Sequence, residues 1–161
     1  MGQYGRVGAA RAEIAALLFR YADAVDAGDF ANAAELFAHA TFRAAVGDGV
    51  HTRAGAEEVR DQFERLVITY DGTPATKHLT TNVVIEVDDE GGTATCRSYF
   101  TVLQARPDFP LQPIVAGRYH DRFERVDGTW RFVDRLVLTD LVGDTGRHLR
   151  GTSPSPAAAA T

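Results

Sequence analysis

Four long segments in the second half of the chain constrain its fold more than any other feature. They are rich in β-branched and aromatic side chains, are bounded by turn residues, and cover residues 76–87, 93–105, 114–126 and 129–141. Such segments predict β-strands. The short links at 89–92 and 127–128 suit antiparallel hairpins. The middle link holds three prolines and predicts a longer loop that could cover the mouth of a pocket.

The first half of the chain has a helical period instead. From Ile14, apolar side chains recur at offsets of three, four, seven and eleven residues, as on the buried face of an amphipathic helix. Gly28 can end this helix, and Asp29 can cap a short second helix that extends to Phe37. Residues 42–46 then predict a short strand.

A third helix is predicted after Thr52, with Phe63 and Tyr70 on its apolar face. Helices followed by antiparallel strands indicate an α+β fold, in which N-terminal helices pack on one face of a mostly antiparallel sheet. A chain of 161 residues has room for one such domain. We expect this domain at residues 9–145, between a flexible N-terminus (1–8) and a disordered, alanine-rich tail (146–161).

Charge and cysteine content exclude several classes of function. The formal net charge is −5 with interspersed signs, so the chain lacks the basic stripe that binds nucleic acid. Its apolar runs are too short to span a membrane. The single Cys96 cannot form an internal disulfide and suits a reducing cytoplasm. Because the sequence shows no phosphate-binding loop, nucleophile elbow or metal-ligand spacing, we expect neither a cofactor nor a metal.

Acid–base chemistry remains, and its first candidates are Asp26 and His78. Tyr21 is near the centre of the first helix's apolar face, and Asp26 is at the edge of that face, about 120° from Ile14. Asp26 can equally be a solvated residue or a local cap. Strand alternation places His78 and Asn82 on one polar face, which suits an exposed sheet surface or a hydrogen-bonded core histidine. The functional alternative is a cavity wall, with His78 as a general base and Asp26 as its partner.

Two later strands carry further candidates for binding a substrate. Alternation puts Tyr119 and Asp121 on one face, as pocket candidates, and the row at 118, 120 and 122 on the other, which suits a solvated face or a dimer interface. Arg97 and Tyr99 could bind a substrate oxygen, or could serve only as cross-strand pairing residues. We assign no role to three histidines, His39, His51 and His148.

Three motifs in this order resemble the SnoaL-like superfamily. They are Tyr21-Ala-Asp-Ala-Val-Asp26, Lys77-His78-Leu-Thr-Thr-Asn82 and Gly117-Arg-Tyr-His-Asp121. That group includes scytalone dehydratase, bile acid 7α-dehydratase, hexachlorocyclohexane dehydrochlorinase, ketosteroid isomerase and polyketide cyclases, and the resemblance covers residues 9–145. It implies a cone-shaped fold with a curved sheet. The Asp–His pair and pocket tyrosine of its dehydratases and its dehydrochlorinase imply Asp26, His78 and Tyr21.

The resemblance favours a cofactor-independent lyase, a dehydratase acting on a small cyclic hydroxy-ketone, polyketide or steroid-like substrate. His78 would remove a proton beside a carbonyl, Asp26 would orient His78, and Tyr21 with Tyr119 or Arg97 would stabilise the negative charge. An isomerase or aldol-type cyclase would use the same base. The alternative from another class is a non-catalytic ligand-binding or assembly module, which an outward-turned His78 would favour. In either case we expect a homodimer formed through the exposed sheet face.

Overall fold

Helices pack on one face of a six-stranded sheet within the residues that the structure describes. The structure is a computed structural model, and it describes residues 2–46, 48–151 and 156. Its elements are α1 (Gln3–Ala27), α2 (Phe30–Glu35), β1 (Thr41–Val46), β2 (Gly49–Ala54), α3 (Gly55–Leu66), β3 (Thr76–Asp88), β4 (Thr93–Arg106), β5 (Phe109–Val126) and β6 (Thr129–Val142). None of the described helices is long and apolar enough to cross a membrane.

The strands form one curved sheet in the order β2-β1-β6-β5-β4-β3. β1 and β6 run parallel, and all the other neighbouring pairs in this sheet are antiparallel. The four strands predicted in the second half of the chain are confirmed as β3 to β6, and the α+β arrangement is confirmed with them. The core lies between the helices and the inner face of the sheet, and its largest fully buried apolar side chains include Ile14, Leu18, Phe37, Phe123 and Phe132.

Two β-bulges decide which side chains of β3 and β6 face the helices. In β3 the register shifts between Thr81 and Val84, and in β6 it shifts between Phe132 and Asp134. A bulge adds one residue to a strand, so the alternate set of side chains faces the core beyond it. As a result β6 turns Arg135 toward the helices, although simple alternation from Phe132 would have turned Asp134 there.

Helix α1 is longer than the apolar period predicts. It begins at Gln3 rather than near Ile14, so residues 3–8, which the sequence analysis assigns to a flexible N-terminus, are helical. Arg6 forms an ion pair with Asp89, with Nε and Oδ2 2.8 Å apart. The apolar period misses these turns because their side chains are mostly exposed.

The segment between β1 and α3 also differs from its prediction. Gly49 to Ala54 form β2, so Thr52 lies within a strand, and α3 begins at Gly55 and ends at Leu66, before Tyr70. β2 is an edge strand with nearly every side chain exposed, and it therefore lacks the apolar alternation by which a half-buried strand is recognised.

The proline-containing link between β4 and β5 is a tight turn and not the long loop that we predicted. β4 ends at Arg106 and β5 begins at Phe109, so Pro110 and Pro113 belong to β5. The β4–β5 register is irregular beside these prolines, with shifts at Val102/Leu103 and at 104/106. Prolines occur in strands at such irregular positions, because no ladder hydrogen bond is lost there. This link therefore adds no lid to the fold.

Gly28 joins α1 to α2 in a conformation that favours glycine. Its φ is +74°, and its backbone N–H caps the helix by donating to Val25. A Cβ at this position would overlap the carbonyl oxygen of Gly72.

We therefore expect Gly28→Ala to lower the free energy of unfolding by about 2 kcal/mol or more, measured by urea denaturation. Gly8→Ala is the matched control, because a Cβ at this helical position meets nothing within 4 Å, and it should stabilise the chain by up to about 1 kcal/mol. Equal effects of the two substitutions would contradict this account.

Candidate active site

Asp26, at the end of α1, and His78, near the start of β3, form a hydrogen-bonded pair. The ring Nδ1 of His78 lies 2.6 Å from Asp26 Oδ1, and the backbone N–H of His78 donates to Asp26 Oδ2 over 2.8 Å. The hydroxyl of Thr76 donates to Asp26 Oδ1 over 2.7 Å. Both side chains of the pair are less than 10% exposed. The carboxylate is thus fixed by three donors from the first three residues of β3.

The protonation state of Asp26 follows from these contacts. Burial alone raises the pKa of its carboxyl, but the hydrogen bonds and charge of His78, together with the bond from Thr76, outweigh burial and hold the pKa below its ordinary value. Asp26 is therefore a carboxylate at neutral pH and can only accept hydrogen bonds. A neutral His78 must then carry its proton on Nδ1, which leaves the lone pair of Nε2 available to accept a proton.

His78 of this pair lines a mostly apolar cavity of about 230 Å³ between α1, α3 and the sheet. The polar side chains that line this cavity are Tyr21, Gln62, His78, Tyr119, Thr139 and His148. Twelve apolar side chains of the described residues also line it, among them Val25, Phe42, Phe63, Phe100 and Val137. An apolar cavity with a few convergent polar groups is the usual form of a small-molecule site.

The two tyrosines of the cavity lie against a fully buried ion pair. Tyr21 and Tyr119 meet edge to face with ring centroids 6.1 Å apart. The guanidinium carbon of Arg135 lies 4.0 Å from the ring centroid of Tyr119 and 4.4 Å from that of Tyr21. Burial raises the pKa of both phenols, although the charge of Arg135 opposes this. Both hydroxyls are therefore protonated at neutral pH and can donate hydrogen bonds.

Arg135 is in turn held by Asp121. Its Nε and Nη2 donate to the two carboxylate oxygens over 2.8 and 2.9 Å, and both side chains are 0% exposed. Burial lowers the pKa of the Arg135 guanidinium, but the Asp121 carboxylate outweighs burial and raises it. Asp121, which the sequence suggests as a substrate ligand, thus contacts the arginine and is not among the residues that line the cavity.

Three other candidates from the sequence lie outside this cavity. Asn82, Arg97 and Tyr99 line an open depression on the outer face of the sheet, together with Arg118 and His120. The alternation predicted for β4 is correct, and it directs Arg97 and Tyr99 away from the helices. Asn82 does not share a face of β3 with His78, as strand alternation had predicted. It lies at the β3 bulge, with φ +51°, and the bulge turns its side chain to the other face of the sheet.

The structure brings two further residues to the site that sequence reasoning missed. The sequence did not predict that Arg135 faces the helices, because strict alternation without the β6 bulge would have placed Asp134 there. His148 lies in a segment that was predicted to belong to the disordered tail. Residues 144–150, here called the C-terminal strap, instead contact the chain after α3: His148 O accepts from Ile68 N over 2.8 Å. The rest of the predicted tail, apart from Gly151 and Pro156, lies outside the described residues.

We expect His148 to make the stability of the protein depend on pH. Burial, reinforced by the charge of His78, lowers the pKa of His148 from 6.5 to about 4, while Asp26 acts in the opposite sense. The unfolded chain then takes up this proton near pH 6.5 and the folded chain only near pH 4, so stability falls as pH falls between these values. Between pH 7 and 4.5, we expect the free energy of unfolding of wild type to fall by roughly 2 to 3 kcal/mol more than that of His148→Gln. Urea denaturation at the two pH values measures both changes. Parallel losses in the two proteins would contradict this assignment.

In the described part of the chain, no group of three or more histidine, cysteine, aspartate or glutamate side chains is arranged to hold a metal ion. Cys96 is a free, buried thiol in β4, and burial raises its pKa to about 12. It is therefore an inert thiol in the core at neutral pH.

Solved structures define the class of fold to which this arrangement belongs. A putative scytalone dehydratase from Novosphingobium aromaticivorans DSM 12444 is 20% identical, with a TM-score of 0.69 over 95% of this chain and 96% of that chain. LinA is 23% identical, with a TM-score of 0.68 over 94% of this chain and 100% of that chain. Rv3472 of Mycobacterium tuberculosis, a protein of unknown function, is 29% identical, with a TM-score of 0.69 over 88% and 78% of the two chains. The class is the cone-shaped, NTF2-like fold with a cystatin-like arrangement.

The sequence itself gives the family. The model of the SnoaL-like domain matches residues 7–136, which is most of the chain, and the chain belongs to that family. The resemblance noted from the three sequence motifs is thereby confirmed. A comparison with curated protein sequences found no significant match.

Proposed function

We propose that this protein is a cofactor-independent lyase that removes water from a small cyclic hydroxy-ketone. The observation that carries the proposal is the Asp26–His78 hydrogen bond at the wall of a cavity that also receives Tyr21 and Tyr119. The carboxylate holds the imidazole in the tautomer that leaves Nε2 unprotonated, and it stabilises the imidazolium that forms when His78 accepts a proton.

The proposed reaction has two bond-breaking steps. His78 takes the proton from the carbon between the carbonyl and the carbon that bears the hydroxyl, and the electron pair moves toward the carbonyl oxygen. Tyr21 and Tyr119 donate hydrogen bonds to that oxygen, where negative charge develops. The C–O bond of the hydroxyl then breaks as the electrons return to form a C=C bond. The leaving oxygen takes the proton from the imidazolium and departs as water, so the free enzyme is restored.

The size and polarity of the cavity favour a compact substrate. A cavity of about 150 Å³ is enough for benzene, so about 230 Å³ suits one ring or two fused rings. None of the described residues that line the cavity is an arginine or a lysine, which favours an uncharged molecule over a phosphorylated one. Among the small cyclic, polyketide and steroid-like substrates considered from the sequence, the small cyclic hydroxy-ketones and one- or two-ring polyketides fit best.

A substrate screen tests this proposal. Purified protein is incubated with one-ring and two-ring ketones that carry a hydroxyl on the β-carbon, and the conjugated enone product is followed by its ultraviolet absorbance. We expect turnover by wild type and by His51→Ala, an exposed histidine on β2, and its loss in His78→Ala. Product formation that does not depend on His78, or none above the buffer rate across the panel, would refute the proposal.

The position of His78 bears on one of the two alternatives to this proposal. An outward-turned His78 would favour a non-catalytic ligand-binding or assembly module, whereas a carboxylate-paired imidazole at the cavity wall favours acid–base chemistry. An isomerase or aldol-type cyclase would use the same base, and it would differ in returning the proton to another carbon or in forming a C–C bond. Product analysis by mass spectrometry distinguishes them, because only dehydration lowers the mass by one water.

We further propose that the outer face of the sheet forms a homodimer. Tyr99 and Val84 are about half exposed on this face, at 52% and 50%, beside the depression that also contains Arg97 and Asn82. Aromatic and arginine side chains are enriched at such interfaces. Light scattering at micromolar concentration should give twice the monomer mass, and Tyr99→Glu should give the monomer mass. A monomeric wild type would contradict this proposal.

A further inference from the structure

His148 is a second imidazole at the cavity, brought there by the C-terminal strap. Its side chain is among those that line the cavity, and the residue is only 6% exposed. Its backbone is fixed at both polar atoms: the N–H donates to Thr145 O over 2.9 Å, and the carbonyl accepts from Ile68 N over 2.8 Å. The strap continues to Arg150, whose N–H donates to Leu66 O at the end of α3. These main-chain bonds hold His148 in place independently of its ring.

The ring of His148 has a hydrogen-bonding capacity that the described residues do not use. Its Nδ1 is buried without a hydrogen-bond partner. A buried polar atom without a partner costs about 1 to 3 kcal/mol, so such atoms persist in folded proteins where a ligand, an ordered water or a functional requirement accounts for them. Beside the ring, Leu149 forms a backbone β-bridge with Val67 and packs against the core.

We propose that His148 is a substrate-binding residue that hydrogen-bonds a second oxygen of the substrate. His78 meanwhile removes the proton beside the reacting carbonyl, and the two tyrosines bind the oxygen of that carbonyl. The inference deepens the proposed function and rests on it for the identity of the reacting group. It defines the substrate class more narrowly, as a ring that carries an oxygen substituent in addition to the hydroxy-ketone unit.

Electrostatics are consistent with this role. His148 is close enough to His78 and Asp26 for their charges to affect its ionisation, and burial keeps its ring neutral at neutral pH. A neutral imidazole offers one donor and one acceptor, so it can bind either a hydroxyl or a carbonyl oxygen. It also does not compete with His78 for the proton, because a second positive charge beside the imidazolium is unfavourable.

Binding of two matched ligands tests the proposal without any turnover. Acetophenone and para-hydroxyacetophenone share the carbonyl and differ by one ring hydroxyl, and their dissociation constants are measured by isothermal titration calorimetry. In wild type we expect the hydroxyl to tighten binding about 3- to 10-fold, the range of one net hydrogen bond. In His148→Leu, which keeps the apolar bulk, the ratio should fall to about one. His148→Gln, which can still hydrogen-bond, should keep part of the gain, and His51→Leu should keep all of it.

The possible outcomes decide between substrate binding and a purely structural role. A hydroxyl-dependent gain that is lost in His148→Leu and partly kept in His148→Gln supports the proposal. No gain in wild type, or a gain that survives in a folded His148→Leu protein, overturns it. Failure of the proposed function has a different result. His78→Ala would then leave turnover in the substrate screen unchanged, while the tighter binding of the hydroxylated ligand, and its loss in His148→Leu, would persist.

Discussion

Alanine in place of His78 is expected to slow proton abstraction inside the cavity by about 100-fold or more. The chromogenic probe nitrobenzisoxazole measures this step without knowledge of the natural substrate. A base removes its ring C–H proton, the N–O bond breaks, and a coloured cyanophenolate is released. The probe is a two-ring, uncharged molecule of the size that the cavity accommodates. Wild type should accelerate its decay through Nε2 of His78, and His78→Ala should return the rate toward that of buffer.

Asp26→Asn provides the second arm of this experiment. An asparagine side chain keeps the shape of Asp26, but its amide cannot stabilise an imidazolium as the carboxylate does, so we expect a loss of about 10-fold or more. Because the two residues act as one unit, the double variant Asp26→Asn/His78→Ala should be no slower than His78→Ala alone. His51→Ala should match wild type. Multiplicative losses in the double variant, or a fast His78→Ala protein, would show that the pair does not act as the base.

Arg135→Met is expected to cause the largest loss of stability among the substitutions considered. It removes one partner of a pair that is 0% exposed and leaves the Asp121 carboxylate buried without its counter-ion. Breaking such a pair costs about 3 to 5 kcal/mol. Guanidinium denaturation at neutral pH measures the change. The matched control is Arg118→Met, because Arg118 pairs with Asp140 at the surface and such a pair contributes less than about 1 kcal/mol.

A double substitution distinguishes the cost of an orphaned charge from the cost of lost packing. If the uncompensated carboxylate is the cause, Asp121→Leu/Arg135→Met should be more stable than Arg135→Met alone, since two apolar side chains can replace a buried ion pair with little penalty. A double variant less stable than Arg135→Met would instead assign the loss to the contacts that Arg135 makes with the rings of Tyr21 and Tyr119.

Much of the fold could be predicted because its signals are local. The apolar period from Ile14 and the β-rich segments after residue 76 each belong to one element, and their order fixes the α+β class. The Asp26–His78 pair could be anticipated as a candidate because Asp26 is at the edge of the apolar helix face, His78 is on the polar face of its strand, and both belong to motifs that resemble the SnoaL-like superfamily. β2 could not be, since an exposed edge strand has no apolar alternation to detect.

The rest of the site depends on relations between elements that the sequence does not display. Arg135 faces inward only because of the bulge next to Phe132, and a bulge is a property of strand pairing and not of one strand. His148 reaches the cavity only because the C-terminal strap binds the segment after α3, some 80 residues earlier in the chain. Composition suggested a tail there, because long-range docking leaves no periodic signal in a short segment.

The bulge in β6 has a consequence for the comparison of related sequences. Val133 is the extra residue, and it separates two parts of one strand that follow opposite rules for which side chains face inward. An alignment that misses this one position would equate the inward-facing Arg135 with the outward-facing Asp134, which bonds Arg43 and Thr41 on the other side of the sheet. A relative that lacks this one residue would follow plain alternation and still keep its carboxylate outside and its guanidinium inside. A relative that keeps the residue but pairs without the bulge would exchange the two side chains between the faces, without any substitution at all.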